Sequence, residues 1–205
     1  MVLLDLTRDK IPEDAQYSTF YHGVKFENTL GKIFPSCLLK SKSRDRERRI
    51  DESIALTEEI IRTADPQLFR DHASDNLVDL YGLAKENAQT IRNHGNPQVI
   101  TALNKLDQLA KYGIITQDSV RHILREHCVY LWDGDFRDMA ENWGAQGYFK
   151  INLPEGAYFI TGIEAIVPGV IPTKFIEKFY PSENTDIPNL KGILQQKGIE
   201  LAKQV

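Results

Sequence analysis

The chain is expected to fold as a mixed α/β (α+β) protein, a small sheet core interrupted in sequence by a helical insertion. Two observations predict this. Residues 17–48 and 127–180 carry aromatic and β-branched runs punctuated by Gly and Pro, the composition of strands and turns. Between them, over about 49–126, apolar residues recur at helical spacing instead of alternating. The 205 residues suffice for one well-buried domain, here 1–205 with the insertion inside it, and no internal repeat or low-complexity segment interrupts it.

The first zone opens with "STFYHGVKFENTLGKIF" at Ser18–Phe34. Phe20 and Tyr21 are strand formers. Gly23 frees the backbone for a turn or a close approach, and Phe26, Leu30, Ile33 and Phe34 then recur at helical spacing. The pattern is strand, His22-Gly23, helix. A basic run with interleaved acids follows, "KSKSRDRERR" at Lys40–Arg49, with the pattern of a solvated loop or of a phosphate-holding segment.

In the helical zone Leu77, Leu80, Tyr81, Ala84, Ala88 and Ile91 hold one face over four turns. A second helix is marked by Asn96 as N-cap, Pro97 at the first helical position and Gly113 as its stop. Thr116 caps a third piece with Val120, Ile123 and Leu124 inward. The connection "YGIIT" has a helix-turn-helix outline, which plain antiparallel packing also produces. In the last zone "HCVYLWDGD" reads as a strand ending in an Asp-Gly turn, and "DFRDMAENWG" as a short helix. "GYFKINLP", "AYFITGIEAIV" and "PTKFIEKFY" read as further strands.

Composition narrows the function classes. A net charge of −4, from 25 basic and 29 acidic residues, argues against generic nucleic-acid binding, which shows a basic excess. Cys37 and Cys128 alone build neither a disulfide framework nor a cysteine zinc site, and they fit a reducing compartment. The histidines His72, His94, His122 and His127 are scattered, so no metal site is expected. "MVLLDLTRDK" has no basic stretch followed by an apolar one, and no run approaches the roughly 20 apolar residues that span a bilayer. No membrane partner is expected, and the location is intracellular: cytoplasmic, or a host cell into which the protein is delivered.

Three segments carry a resemblance. "FYHGVKFENTLGKIFPSCLLKSKS" resembles the opening motif of the ADP-ribosyltransferase superfamily, an aromatic-His-Gly strand end followed by a helix and a leucine-rich turn. "CVYLWDGDFRDMAENWG" resembles its second motif, a tyrosine-bearing strand and a short helix. "AYFITGIEAIVPGVIPTKFI" resembles the third, a glutamate opening a strand that runs into a Gly-Ile-Pro turn. Their order, His, Tyr, Glu, is that of the superfamily's His-Tyr-Glu branch, and together they cover roughly a third of the chain. The chain departs from the pattern at Val24, where the family has a small hydroxyl residue. Gly162, two before Glu164, is not the Glu or Gln of arginine-modifying toxins, so arginine is poorly supported as the acceptor.

The resemblance implies a split-sheet core and NAD as substrate. Breaking the nicotinamide–ribose bond builds positive charge on the ribose carbon, so the site needs an oriented dinucleotide and a negative group nearby. By resemblance Glu164 stabilises that cation through a ribose hydroxyl, and His22 donates to the adenosine-side ribose. Gly23 clamps the carboxamide with its backbone, while Tyr130, with Trp143 as the second ring, stacks on the nicotinamide; aromatic faces suit a flat cation. Arg44 contacts phosphate by the same resemblance, with Arg46 left as its alternative. The acceptor is a macromolecule, protein or nucleic acid, in the setting of a toxin, an effector, a defence factor or a housekeeping enzyme. Two rivals share these residues: an NAD-dependent RNA 2′-phosphotransferase, disfavoured by the scarcity of basic residues, and a catalytically degenerate interaction domain.

Overall fold

The structure, a computed structural model, describes residues 1–24, 37–38, 75–94, 99–111, 128–134, 145, 147–161, 164–183, 185 and 189–203. The chain divides into two compact units. One comprises Met1–Val2 and Lys42–Cys128, the other Leu3–Ser41 and Val129–Val205. The second unit is thus built from two stretches separated in sequence by most of the first.

The sheet unit is organised around β1 (Tyr17–Val24). In chain order it adds β2 (Cys37–Leu38), β3 (Cys128–Trp132), β4 (Gly147–Pro154), β5 (Phe159–Thr161) and β6 (Glu164–Pro168). Next come β7 (Ile171–Pro172), a single 3₁₀ turn (Thr173–Phe175), β8 (Ile176–Pro181) and β9 (Glu200–Leu201). Seven strands form a mixed sheet in the order β5-β6-β3-β1-β4-β8-β9, and β2 pairs with β7 in a separate ribbon. The expected mixed α/β class is what the described residues show.

Why β1 lies at the centre follows from its partners. "GYFKINLP" alternates strictly, sending Phe149, Ile151 and Leu153 inward and Tyr148, Lys150 and Asn152 outward. Its register against β1 runs unbroken from Tyr17↔Pro154 to Val24↔Gly147. Phe20, opposite Ile151, therefore enters the same core and is 1% exposed. β8 completes the layer: Phe149 faces Phe179 with ring centroids 4.9 Å apart, and both are fully buried. Val129, Leu131, Ala165 and Val167 extend that core across β3 and β6.

The opposite face is polar and aromatic. Tyr21 meets Tyr148 edge-on at 5.9 Å, and Tyr148 stacks on Tyr180 at 4.8 Å. Lys150 pairs with Glu177 at 2.7 Å and Lys178 with Glu200 at 2.6 Å, so the like charges of the direct Lys150↔Lys178 pair are each offset by a carboxylate. Thr19 donates to Asn152, which donates in turn to Glu177.

Some elements differ from expectation. The run "AYFITGIEAIV" holds two antiparallel strands, β5 and β6, paired from Phe159↔Ile166 to Thr161↔Glu164. The stretch "PTKFIEKFY" begins as the 3₁₀ turn before becoming β8. The end of the chain forms a short helix, α4 below, followed by β9, which pairs with β8 in parallel.

In the other unit the described helices are α1 (Asp75–Glu86), α2 (Ala88–His94) and α3 (Val99–Ala110); α4 (Leu190–Gln196) belongs to the sheet unit. The face expected to run continuously from Leu77 to Ile91 is divided between α1 and α2 at Asn87. That side chain is buried and donates to the carbonyls of Leu83 and Met1. Leu80, Leu83, Ala84, Ile91, Val99, Ala102, Leu103 and Leu106 are buried, as helical periodicity requires. Asp107 on α3 accepts from Tyr81 and from Lys85, the latter at 2.6 Å. Desolvation and this carboxylate hold the Tyr81 hydroxyl well above its ordinary range, while the Lys85 and Tyr81 hydrogen bonds hold Asp107 below the usual carboxylate range. The expected caps Asn96 and Gly113, and the segment from Thr116 onward, lie outside the described residues. No helix among the described residues is long and apolar enough to cross a membrane.

Candidate functional site

The three motif strands are neighbours. β6, β3 and β1 are consecutive in the sheet, carrying Glu164, Tyr130 and His22 respectively. The tails of the first and third motifs meet as well, through Cys37↔Pro172 and Leu38↔Ile171. Segments more than 100 residues apart in sequence are thus paired within the sheet unit.

Strand alternation decides which side chains share a face. Val129 and Leu131 are buried in the core, so Tyr130 and Trp132 leave the opposite face, and both are partly exposed. The register Tyr21↔Trp132 puts Tyr21 on that face too. On β6, Ala165 and Val167 belong to the core, which turns Glu164 toward the face of Tyr130. Glu164 is the first residue of its strand, pairs with Thr161 of β5, and is partly buried. Glu164 and Tyr130 therefore share one face of adjacent strands.

His22 is not on that face. It alternates with Tyr21 and pairs with Phe149, so its side chain starts from the core side beside Phe20. Its Nδ1 lies 2.7 Å from the carbonyl oxygen of Tyr130. A carbonyl only accepts, so Nδ1 carries the proton and donates. Burial pushes the His22 pKa down, opposed in part by this hydrogen bond, and the ring is neutral at neutral pH. Nε2 then holds a lone pair. The expected role of His22 as donor to a ribose is corrected on this ground: the neutral ring can accept a ribose hydroxyl but has no second N–H to give. What it does hold is the spacing of β1 against β3 beside Gly23.

This bond has a pH signature. A histidine whose folded pKa is depressed binds its proton less readily in the folded than in the unfolded chain. Its contribution is complete above about pH 6.5 and is lost as pH falls below that value, at no more than about 1.4 kcal/mol per pH unit. His22→Asn keeps an N–H near the Nδ1 position without the titration. Between pH 7.5 and 5 the variant is expected to lose less melting temperature than the wild type. Parallel curves would mean that the acid sensitivity originates elsewhere.

Arg44, Arg46 and Trp143 lie outside the described residues, as does the helix expected over "DFRDMAENWG". Among the described residues no group of three or more metal-ligating side chains is assembled. The sequence did not single out Trp132 and Tyr21. The signal was available in the spacing: Trp132 is i+2 from Tyr130, and any strand that presents one ring presents the other. No family model, no curated protein and no solved structure matches the chain.

Proposed function

We propose that the chain is an NAD-dependent ADP-ribosyltransferase that releases nicotinamide and passes ADP-ribose to a protein or nucleic-acid acceptor. The observation that carries this is the adjacency of β6, β3 and β1, with Glu164 and Tyr130 on one face and the His22–Tyr130 hydrogen bond joining β1 to β3. In the reaction the C–N bond to nicotinamide breaks and its electron pair leaves with the neutral pyridine. The acceptor's nucleophile forms the new bond to the ribose carbon and gives up its proton. Glu164 supplies the negative charge beside the developing cation, Tyr130 a ring face for the pyridinium, and Gly23 backbone groups that a ligand can approach closely. His22 is a positioning residue: it fixes the Tyr130 main chain, and with it the ring platform. The phosphate-binding role of Arg44 and the second ring at Trp143 complete the proposal.

The test is incubation of the purified protein with NAD labelled in its adenosine half, with and without cell lysate. Nicotinamide release and transfer of label into the protein or the nucleic-acid fraction are expected. Absence of both NAD binding and turnover would leave an interaction domain. A strict requirement for RNA bearing a 2′-phosphate would identify the phosphotransferase instead.

A further inference from the structure

The proposed chemistry turns on the charge of Glu164, and a carboxylate helps only if its oxygens are aimed at the carbon that becomes cationic. Glu164 opens β6, so the strand holds its Cβ and leaves the long arm beyond it to be placed by a neighbour. Among the described residues no hydrogen bond or ion pair occupies that carboxylate. A lysine or arginine partner would fix the arm but offset its charge. A neutral donor orients the carboxylate and keeps it negative.

The register of β5 against β6 places such a donor. Thr161 stands directly across from Glu164. Residues paired in this way on antiparallel strands leave the same face, with Cβ atoms about 4.5–5.5 Å apart. A glutamate arm spans that distance, and the threonine hydroxyl is a donor whose β-branched side chain takes few rotamers. Thr161 and Glu164 are both partly buried. The next pair on their face is Phe159↔Ile166, and Ile166 is fully buried. A hydrogen bond made beside such apolar bulk is stronger than the same bond in open water.

We propose that Thr161 is a positioning residue for Glu164: with NAD bound, its Oγ1 donates to the carboxylate and aims it at the ribose carbon. This rests on the NAD-dependent reading above and adds to it a residue to which the resemblance assigns no role. Hydrogen bonds of a catalytic site are often long or unmade without ligand and tighten only in the complex. Thr161 touches neither substrate nor reacting atoms; it acts through Glu164, so its loss should slow the chemical step and spare NAD binding.

Nicotinamide release over a range of NAD concentrations, calorimetric NAD affinity and melting temperature are measured on wild type, Thr161→Val and Thr161→Ser. The same Thr161→Val change is then made in a Glu164→Ala background. Thr161→Val removes the hydroxyl and keeps the β-branched shape that strands favour. It is expected to lower kcat about 10- to 100-fold, the worth of a hydrogen bond to a charged group, with NAD affinity nearly unchanged. Thr161→Ser keeps the hydroxyl and should restore most of the rate. In the Glu164→Ala background there is no carboxylate to aim, so Thr161→Val should cost little more. Equal kcat in Thr161→Val and wild type, or an equal loss in the two backgrounds, would overturn the role of Thr161 and leave the NAD reading standing. A loss confined to KM and NAD affinity would overturn it too, by making Thr161 a ligand contact. No NAD binding and no nicotinamide release by the wild type would remove both readings. Should Thr161→Val fail to fold, Thr161→Ala removes the same hydroxyl and carries the comparison.

Discussion

Glu164→Gln is expected to lower NAD turnover by about 10²–10³, or 2.7–4 kcal/mol, the size of effect seen when one electrostatic stabiliser of a transition state is removed. The substitution keeps the length of the side chain and its ability to accept a hydrogen bond; it removes the charge. Charge matters most when the ribose carbon becomes cationic, so NAD affinity should change far less than turnover. Stability should change by no more than about 0.5 kcal/mol, because Glu164 is only partly buried and opens its strand opposite Thr161. Turnover, calorimetric NAD binding and melting temperature on the two proteins separate these effects. Equal turnover would remove Glu164 from the mechanism and with it the strongest reason for assigning catalysis to this sheet.

Much of the fold was legible because its signals are local. The alternation in "GYFKINLP" fixes which residues of β4 are core, and Phe149, Ile151 and Leu153 are all buried. The 3.6-residue period in the insertion correctly selected Leu80, Ala84 and Ile91. What was not legible depends on partners distant in sequence. That the strand ending at His22 pairs with strands from residues 127–180 was expected from the motif order and holds; that its two neighbours are β3 and β4, which makes β1 central, "STFYHGV" does not state. The two arms β5 and β6 were hidden inside "AYFITGIEAIV", where strand-forming residues on both sides of Gly162 look like one strand. The end of the chain escaped for a different reason: a seven-residue helix and a two-residue parallel strand are too short to display a period.

The candidate site shows the same division. His22, Tyr130 and Glu164 were identified by order along the chain, and their strands are neighbours. Facing could not be read, because it depends on the register between strands: one step separates Gly23, across from Tyr130, from His22, which starts on the core side. The tautomer of His22 likewise depends on the Tyr130 carbonyl, a main-chain atom that no motif records.

Gly147→Ala is expected to be the most damaging small substitution in the sheet unit, destabilising by about 3 kcal/mol or more, the upper part of the overpacking range. A Cβ built there would lie 2.7 Å from the Tyr180 carbonyl oxygen and 2.9 Å from Cε2 of Phe179, with the tip of that ring closer still. Neither neighbour can yield cheaply. The carbonyl belongs to β8 directly across from β4, and Phe179 is fully buried against Phe149 and cannot rotate into solvent. The strain would be relieved by parting β4 from β8 where the register runs Gly147↔Pro181 and Tyr148↔Tyr180. At about 2–4 °C per kcal/mol for a chain of this size, the melting temperature should fall by roughly 6–12 °C. Gly82→Ala is the internal control. Gly82 lies within α1, and among the described residues nothing beyond its chain neighbours and its own helix backbone comes within 4 Å of a new Cβ, so alanine there should stabilise the helix by about 0.5–1 kcal/mol. Opposite signs from the same chemical change would tie the cost at Gly147 to the packing of Phe179 and Tyr180. A neutral Gly147→Ala would mean that β4 and β8 are less tightly joined than the Phe149–Phe179 contact implies.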